Sequence, residues 1–85
     1  MDVFEYLDHV NSKEDLLKFL VYLQKDFKVN QDEWENIEVE TYLEALHGWL
    51  GAYEGVYINQ GGEKLPENIP WKFIAQMLLA AAYYE

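Results

Sequence analysis

The fold is decided by residues 39–53, which read VETYLEALHGWLGAY. Their apolar members recur at three- and four-residue spacing, and they are Val39, Tyr42, Leu43, Leu46, Trp49, Leu50 and Tyr53. Such spacing places all of them on one face of an α-helix. The pattern therefore predicts a helix over 39–53 that turns this face to the core and turns Glu40, Glu44 and His47 to solvent.

A second long helix is predicted on the N-terminal side of this stretch. Ser12 and Asp15 form an S-x-x-D capping pattern ahead of an apolar run, which predicts a helix over 13–27. Its predicted inward residues are Leu16, Phe19, Leu20, Leu23 and Phe27. Before it, Phe4, Leu7 and Val10 predict a short helical segment, and after it residues 32–35 predict a helical turn.

The last helix is predicted over 70–84, because proline suits the first position of a helix. Its predicted inward residues are Trp71, Ile74, Met77, Leu78 and Ala81. Between Glu54 and Ile69 the helical pattern disappears, so a long loop is expected, with a small hairpin around 56–62 as an alternative. Residues 1–85 are thus expected to form one all-α domain, a small three- to four-helix bundle with a long loop before the last helix.

The charge of the chain argues against some classes of partner. Six lysines face sixteen acids among 85 residues, which gives a net charge of −10. Seven acids and no base lie between Asp32 and Glu54. Such a surface is a poor partner for nucleic-acid phosphate or for an anionic membrane, since both recruit lysine and arginine.

The absence of cysteine excludes a disulfide framework and a cysteine nucleophile, and it fits a reducing compartment. The acidic N-terminus lacks the basic and apolar regions of a signal peptide. A cytoplasmic location is therefore expected.

Patterns for catalysis or metal binding are weak. Glu44 and His47 match E-x-x-H, but only one copy exists and it lies on the predicted polar face. Ser12, the only serine, is accounted for by its capping role. We therefore expect no enzyme activity, no cofactor and no metal.

The aromatic residues are more informative. Three tryptophans and seven tyrosines exceed what one small core needs. Trp49 and Trp71 lie on apolar stripes, which favours core packing. Trp34 lies among acids, so it either covers the end of the bundle or is an exposed anchor, and Tyr53 and Tyr57 are similar cases. Tyrosine and tryptophan rimmed by charge are typical of interface hot spots.

Several segments of the chain together resemble a known family. They are Val10–Leu16 with Glu33–Asn36; Tyr42–Leu46 with Trp49, Tyr53, Gly55, Tyr57 and Asn59; and Pro70-Trp71 with Leu78–Ala81 and Tyr84-Glu85. They resemble a family of short, acidic bacterial proteins catalogued as a domain of unknown function. The resemblance carries no catalytic residues, but its members are similar in size and acidity to immunity proteins that neutralise toxins.

These observations favour an acidic binding module that neutralises a basic protein, most plausibly a bacterial immunity protein against a nuclease-type toxin. The acids would steer the partner, and the aromatic residues would anchor it. The predicted partner-binding residues are Asp32, Glu33, Trp34, Glu40, Glu44, Tyr53, Glu54 and Tyr57. The alternatives are a structural or regulatory homodimer and a phage-type inhibitor that mimics nucleic acid.

Overall fold

The computed structural model describes residues 1–59 and 69–84, and for residues 54–59 it describes the backbone alone. Within these ranges the chain is all-α, as predicted. Its elements are α1 (Val3–Leu7), α2 (Lys13–Asn30), a 3₁₀ turn (Gln31–Glu33), α3 (Val39–Asn59) and α4 (Trp71–Tyr83). They form a small four-helix bundle in which α4 packs against each of the other three helices.

The start of α2 follows the capping prediction. The Ser12 side chain accepts a hydrogen bond of 3.1 Å from the backbone N–H of Asp15. The Asp15 carboxylate in turn accepts one of 3.0 Å from the backbone N–H of Asn11. These bonds satisfy donors that a helix start leaves unpaired. The helix then runs three residues further than predicted, to Asn30.

The core is small and lies where α1, α2 and α4 meet. Its fully buried large side chains are Phe19 of α2, Val3 at the first residue of α1, and Val10 in the segment that follows α1. The other buried apolar residues are Leu23, Ala45, Ala75, Leu79, Ala81 and Ala82. The predicted inward face of α2 is confirmed, because each of its five residues is buried or half-buried.

The predicted core face of α3 is partly wrong. Val39, Leu43 and Leu50 are 76%, 55% and 39% exposed. Helix α3 makes its main interface with α4, so only a narrow arc of the α3 surface is covered. That arc centres on buried Ala45, and it includes half-buried Leu46.

The predicted core face of α4 is wrong at Trp71, whereas Ile74, Met77, Leu78 and Ala81 are buried or half-buried as predicted. Trp71 is 40% exposed rather than buried, because it lies at the first residue of the helix, at the edge of the bundle. The positions that the core takes up are Ala75, Leu79, Ala81 and Ala82. Three of these four residues are alanines, and their short side chains let α4 pack close to its neighbours.

The predicted loop begins too early in the chain. Helix α3 continues to Asn59, so the alternative of a strand at 56–58 is wrong. A glycine such as Gly55 costs a helix only about 1 kcal/mol, and Val56 and Tyr57 extend the three- and four-residue spacing from Tyr53. The remainder of the predicted loop, residues 60–68, lies outside the described residues.

The segment after the 3₁₀ turn is strapped to the end of α4. The backbone N–H groups of Glu35 and Asn36 both donate to the carbonyl of Ala82, at 2.9 and 3.1 Å. The Asn36 side-chain amide donates to the carbonyls of Ala81 and Tyr84, at 3.0 and 2.6 Å. These bonds satisfy carbonyls that the end of a helix leaves unpaired, and they fix Trp34 beside α4. Among the helices described, none has both the length and the apolar run needed to cross a membrane.

Candidate functional site

A buried carboxylate holds the candidate site together. Asp26 is only 8% exposed, and it lies on the inward face of α2, three residues after Leu23. Its Oδ2 accepts hydrogen bonds from the Trp34 indole N–H at 2.8 Å and from the Tyr83 hydroxyl at 2.6 Å. Its Oδ1 accepts one of 2.8 Å from the Asn30 side chain. One residue therefore joins α2, the turn and α4.

The ionisation of this cluster follows from burial and hydrogen bonding. Burial raises the pKa of Asp26, but the hydrogen bonds from Tyr83, Asn30 and Trp34 lower it by more, so the pKa lies below its ordinary value. Burial raises the pKa of Tyr83, and the hydrogen bond to Asp26 raises it further. The cluster is thus a charged carboxylate surrounded by neutral donors at neutral pH.

Trp34 lies at the centre of an aromatic cluster. Its ring centroid is 5.0 Å from that of Phe27, nearly edge-on, and 6.3 Å from that of Tyr42, nearly parallel. The Tyr83 ring lies 6.0 Å away on the side of the core. The indole is half-buried and packs against the core, which agrees with the interpretation that it covers the bundle. Because Asp26 fixes its nitrogen, its orientation is set.

An apolar groove of about 450 Å³ opens between α2 and α3. We call it the α2–α3 groove, and its lining residues are Leu20, Leu23, Gln24, Phe27, Lys28, Trp34 and Tyr42. A second hollow of about 210 Å³ shares Phe27, Trp34 and Tyr42 with it and extends to Glu38 and Val39. The two cavities flank the same aromatic residues and form one apolar region of the surface.

Tyr42 supports the α3 side of this groove. Its hydroxyl donates a hydrogen bond of 2.7 Å to the carbonyl of Leu78 in α4. Burial raises the pKa of Tyr42, so the hydroxyl stays a proton donor. The ring is therefore held by a hydrogen bond at its far end and by the stack with Trp34 at its face.

Exposed carboxylates follow the turn and the start of α3. They are Asp32, Glu33, Glu35, Glu38, Glu40 and Glu44. Among the described residues the one ion pair joins Lys72 to Asp8, far along α4 from the strap. These six carboxylates thus have no counter-ion within the described part of the chain. Their field extends into solvent over about a Debye length.

Five of the eight predicted partner-binding residues lie on one segment, residues 32–44, which runs from the turn into the second turn of α3. Asp32, Glu33 and Trp34 lie in or next to the turn, and Glu40 and Glu44 lie on the first two turns of α3. Tyr53 lies three helical turns beyond Tyr42 and packs against other rings instead: Trp49 at 5.2 Å and Phe73 at 5.0 Å. The side chains of Glu54 and Tyr57 lie outside the described residues.

The E-x-x-H pair lies on the solvent face of α3, where both Glu44 and His47 are exposed. Within the described ranges no group of three or more histidines and acids is arranged to hold a metal ion. The pair therefore has no third ligand among these residues. The expectation that the chain uses no metal remains a prediction.

Sequence reasoning missed Asp26 and Tyr42 as the residues that build the site. The signal for Asp26 was available, because it follows Phe19 and Leu23 at helical spacing and so places a carboxylate on the apolar face of α2. A polar group in such a position needs partners. No local signal shows that Trp34 and Tyr83 supply them, because the strap to α4 brings them together.

The comparisons with known proteins give a family and no function. No curated protein matches the chain, and no solved structure matches it. A family model does match, described as a family of unknown function (DUF7660), over residues 12–85. The match begins at Ser12, the N-cap of α2, and continues through the turn, α3 and α4, so it includes every residue of the candidate site. The chain therefore belongs to this family of unknown function.

Proposed function

We propose that this chain is an acidic protein-binding module that neutralises a basic protein by covering its positive surface. The observation that carries the proposal is that one segment, residues 32–44, holds both a fixed aromatic pair, Trp34 and Tyr42, and six exposed carboxylates. These carboxylates form no ion pair within the described residues. Unpaired carboxylates attract a basic partner from a distance, and fixed aromatic rings give contact area with little entropy loss. A nuclease-type toxin fits this description, since its phosphate-binding groove is positive.

The number of large apolar side chains on the surface also supports a binding role. Leu17, Val21, Val39 and Leu43 are all at least half exposed, and they lie on the two helices that border the groove. Exposed apolar side chains on the helices that border an apolar groove add to the apolar surface that a partner can bury.

The experiment that tests the proposal is an affinity capture at low and at moderate salt from the cells that make the protein. Proteins retained by the wild-type chain are identified and compared with those retained by the variant E33Q/E40Q/E44Q. A matched control, D2N/E5Q/E14Q, removes the same charge from the start of α1 and the start of α2, where asparagine and glutamine can still form the capping bonds. We expect a basic protein to be retained by the wild type and the control but lost by the first variant. Equal retention by both variants would show that the acidic segment has no specific role.

A homodimer is the second candidate, and one observation favours it. Val39, Leu43 and Leu50 form an exposed apolar edge along α3. Glu40 and Glu44 border this edge, so two copies in contact would bring like charges together at a cost. Sedimentation velocity at low and high salt distinguishes the two functions. A dimer that persists at low salt supports this second candidate, whereas a monomer supports the first.

A further inference from the structure

We propose that the α2–α3 groove is the docking site for a basic amphipathic helix presented by the partner. The inference rests on the proposed function and names the partner element that makes contact. It is carried by the shape of the groove, by the apolar flank that continues it, and by the charge around it.

The groove has the shape of a helix-binding surface. Its wall on α2 consists of Leu20, Leu23, Gln24, Phe27 and Lys28, which recur at three- and four-residue spacing. From Leu20 to Lys28 the helix rises about 12 Å, which is close to two turns of a partner helix. Leu17 and Val21 are 54% and 50% exposed, so apolar surface continues past the groove itself. A partner helix would place apolar residues at i, i+3 or i+4, and i+7 along this wall.

The charge around the groove selects a basic helix. From Lys28 to Glu44 the chain carries six acids and one lysine, a net of −5. Glu38 borders the smaller hollow, and Asp32 and Glu33 lie in the turn that leads to Trp34. Apolar anchors seated on Phe27, Trp34 and Tyr42 would leave the polar face of the partner helix beside these carboxylates. A helix with lysine or arginine on that face is complementary, and an acidic one is repelled.

The same charge argues against a second copy as the occupant. Each copy carries a net charge of −10, and the acids near the groove would face one another across any symmetric contact. Like charges placed together at an interface cost several kcal/mol.

Lys28 provides a test of whether the docking segment is basic or acidic. It is the one basic residue in the lining of the groove, and it lies on the α2 wall next to Phe27. If a basic helix docks here, Lys28 opposes it, so Lys28→Glu should tighten binding. If the groove accepts an acidic or a neutral segment, the same substitution should weaken binding or leave it unchanged.

The experiment titrates the full chain with labelled peptides of leucine and lysine, about four helical turns long, in 0.15 M salt. One peptide places its leucines at i, i+3, i+4 and i+7, and another has the same composition in an order that destroys the apolar face. The groove variant, L17Q/V21Q, alters the exposed apolar flank that continues the α2 wall of the groove. The control is Val29→Gln, which alters a side chain 76% exposed on the opposite flank of α2.

We expect the patterned peptide to bind about tenfold or more tightly than the reordered one. The groove variant should weaken binding by a similar factor, Val29→Gln should leave it unchanged, and Lys28→Glu should tighten it. The inference is overturned if both peptides bind alike and the groove variant behaves as the wild type. The proposed function survives that result if E33Q/E40Q/E44Q still weakens peptide binding, and it fails too if that variant binds as the wild type. A dimer that L17Q/V21Q dissociates would also overturn the inference, since the occupant would then be a second copy.

Discussion

The indole N–H of Trp34 donates a hydrogen bond of 2.8 Å to the buried carboxylate of Asp26, eight residues earlier in the chain. This bond connects the interior of the bundle to the aromatic surface of the candidate site. Without it, the Trp34 ring would be held by packing alone. The stability of the fold and the geometry of the site therefore depend on the same carboxylate.

Asp26→Asn should destabilise the protein by about 2–3 kcal/mol. The carboxylate accepts from three donors, and an amide of the same shape presents its own donors to at least one of them. Urea unfolding measures the loss. The control is Asp32→Asn, an exposed position where we expect a change within about 0.5 kcal/mol. Equal losses of unfolding free energy in the two variants would mean that the hydrogen bonds to Asp26 contribute no more to stability than an exposed carboxylate does.

The same carboxylate predicts how stability depends on pH. Because the pKa of Asp26 is lower in the folded state, its contribution is present above its unfolded value of about 3.9 and is lost as the pH falls through the folded value. The difference in unfolding free energy between the wild type and Asp26→Asn should be constant near neutrality and shrink below about pH 4. Other acids titrate in both chains, so their effect cancels in the difference. A gap that is as large at pH 2 as at pH 7 contradicts the prediction.

Gly51→Ala should stabilise the protein by about 0.5–1 kcal/mol. Gly51 lies within α3, and a Cβ built there meets nothing within 4 Å. Alanine therefore gains helix propensity at no steric cost. At Gly48 a Cβ would lie 3.6 Å from the Tyr84 ring, an ordinary contact distance, so Gly48→Ala is the companion variant. Thermal unfolding measures both, and a loss of stability in Gly51→Ala would count against the described course of α3.

Core truncations should rank by burial and not by sequence pattern. Phe19 is fully buried, so Phe19→Ala should cost about 3–5 kcal/mol. Leu46 is half-buried and should cost less, about 1–2 kcal/mol. Leu43 has the same place in the apolar pattern of α3 but is 55% exposed, so Leu43→Ala should stay within about 0.5 kcal/mol. A large loss of stability in Leu43→Ala would instead support the core face that the sequence pattern predicts for α3.

The contrast between Leu46 and Leu43 shows what periodicity predicts and what it does not. Spacing predicts that α3 is a helix, because its apolar residues share one face, and capping predicts where α2 begins. Spacing does not show how much of that face a neighbour covers, since coverage depends on the number of helices packed against it. The candidate site likewise has features that the sequence shows and features that only tertiary contacts determine. The acids of residues 32–44 are visible in the sequence, whereas the contact of Trp34 with Tyr42 and Tyr83 depends on the strap between Asn36 and the end of α4.

The exposed acids should control the rate at which a basic partner associates. If the exposed acids steer a basic protein, their charge governs association more than dissociation. The variant E33Q/E40Q/E44Q should therefore associate about tenfold more slowly than the wild type at low salt. The difference should narrow at 0.15 M salt, where the screening length is about 8 Å. Stability should barely change, because these three carboxylates are exposed and have no ion pair within the described residues.

The aromatic residues of the site should govern the rate at which the partner dissociates. Trp34→Phe keeps an aromatic ring but removes the hydrogen bond to Asp26, so it loosens the ring within the cluster. We expect it mainly to speed dissociation, by about tenfold or more if Trp34 is a hot spot. Stopped-flow measurements with the captured basic protein give the association rate, and binding to the immobilised protein gives the dissociation rate. The control for net charge is D2N/E5Q/E14Q. Steering is refuted if association is indifferent both to salt and to the triple substitution, because the charge would then serve solubility alone.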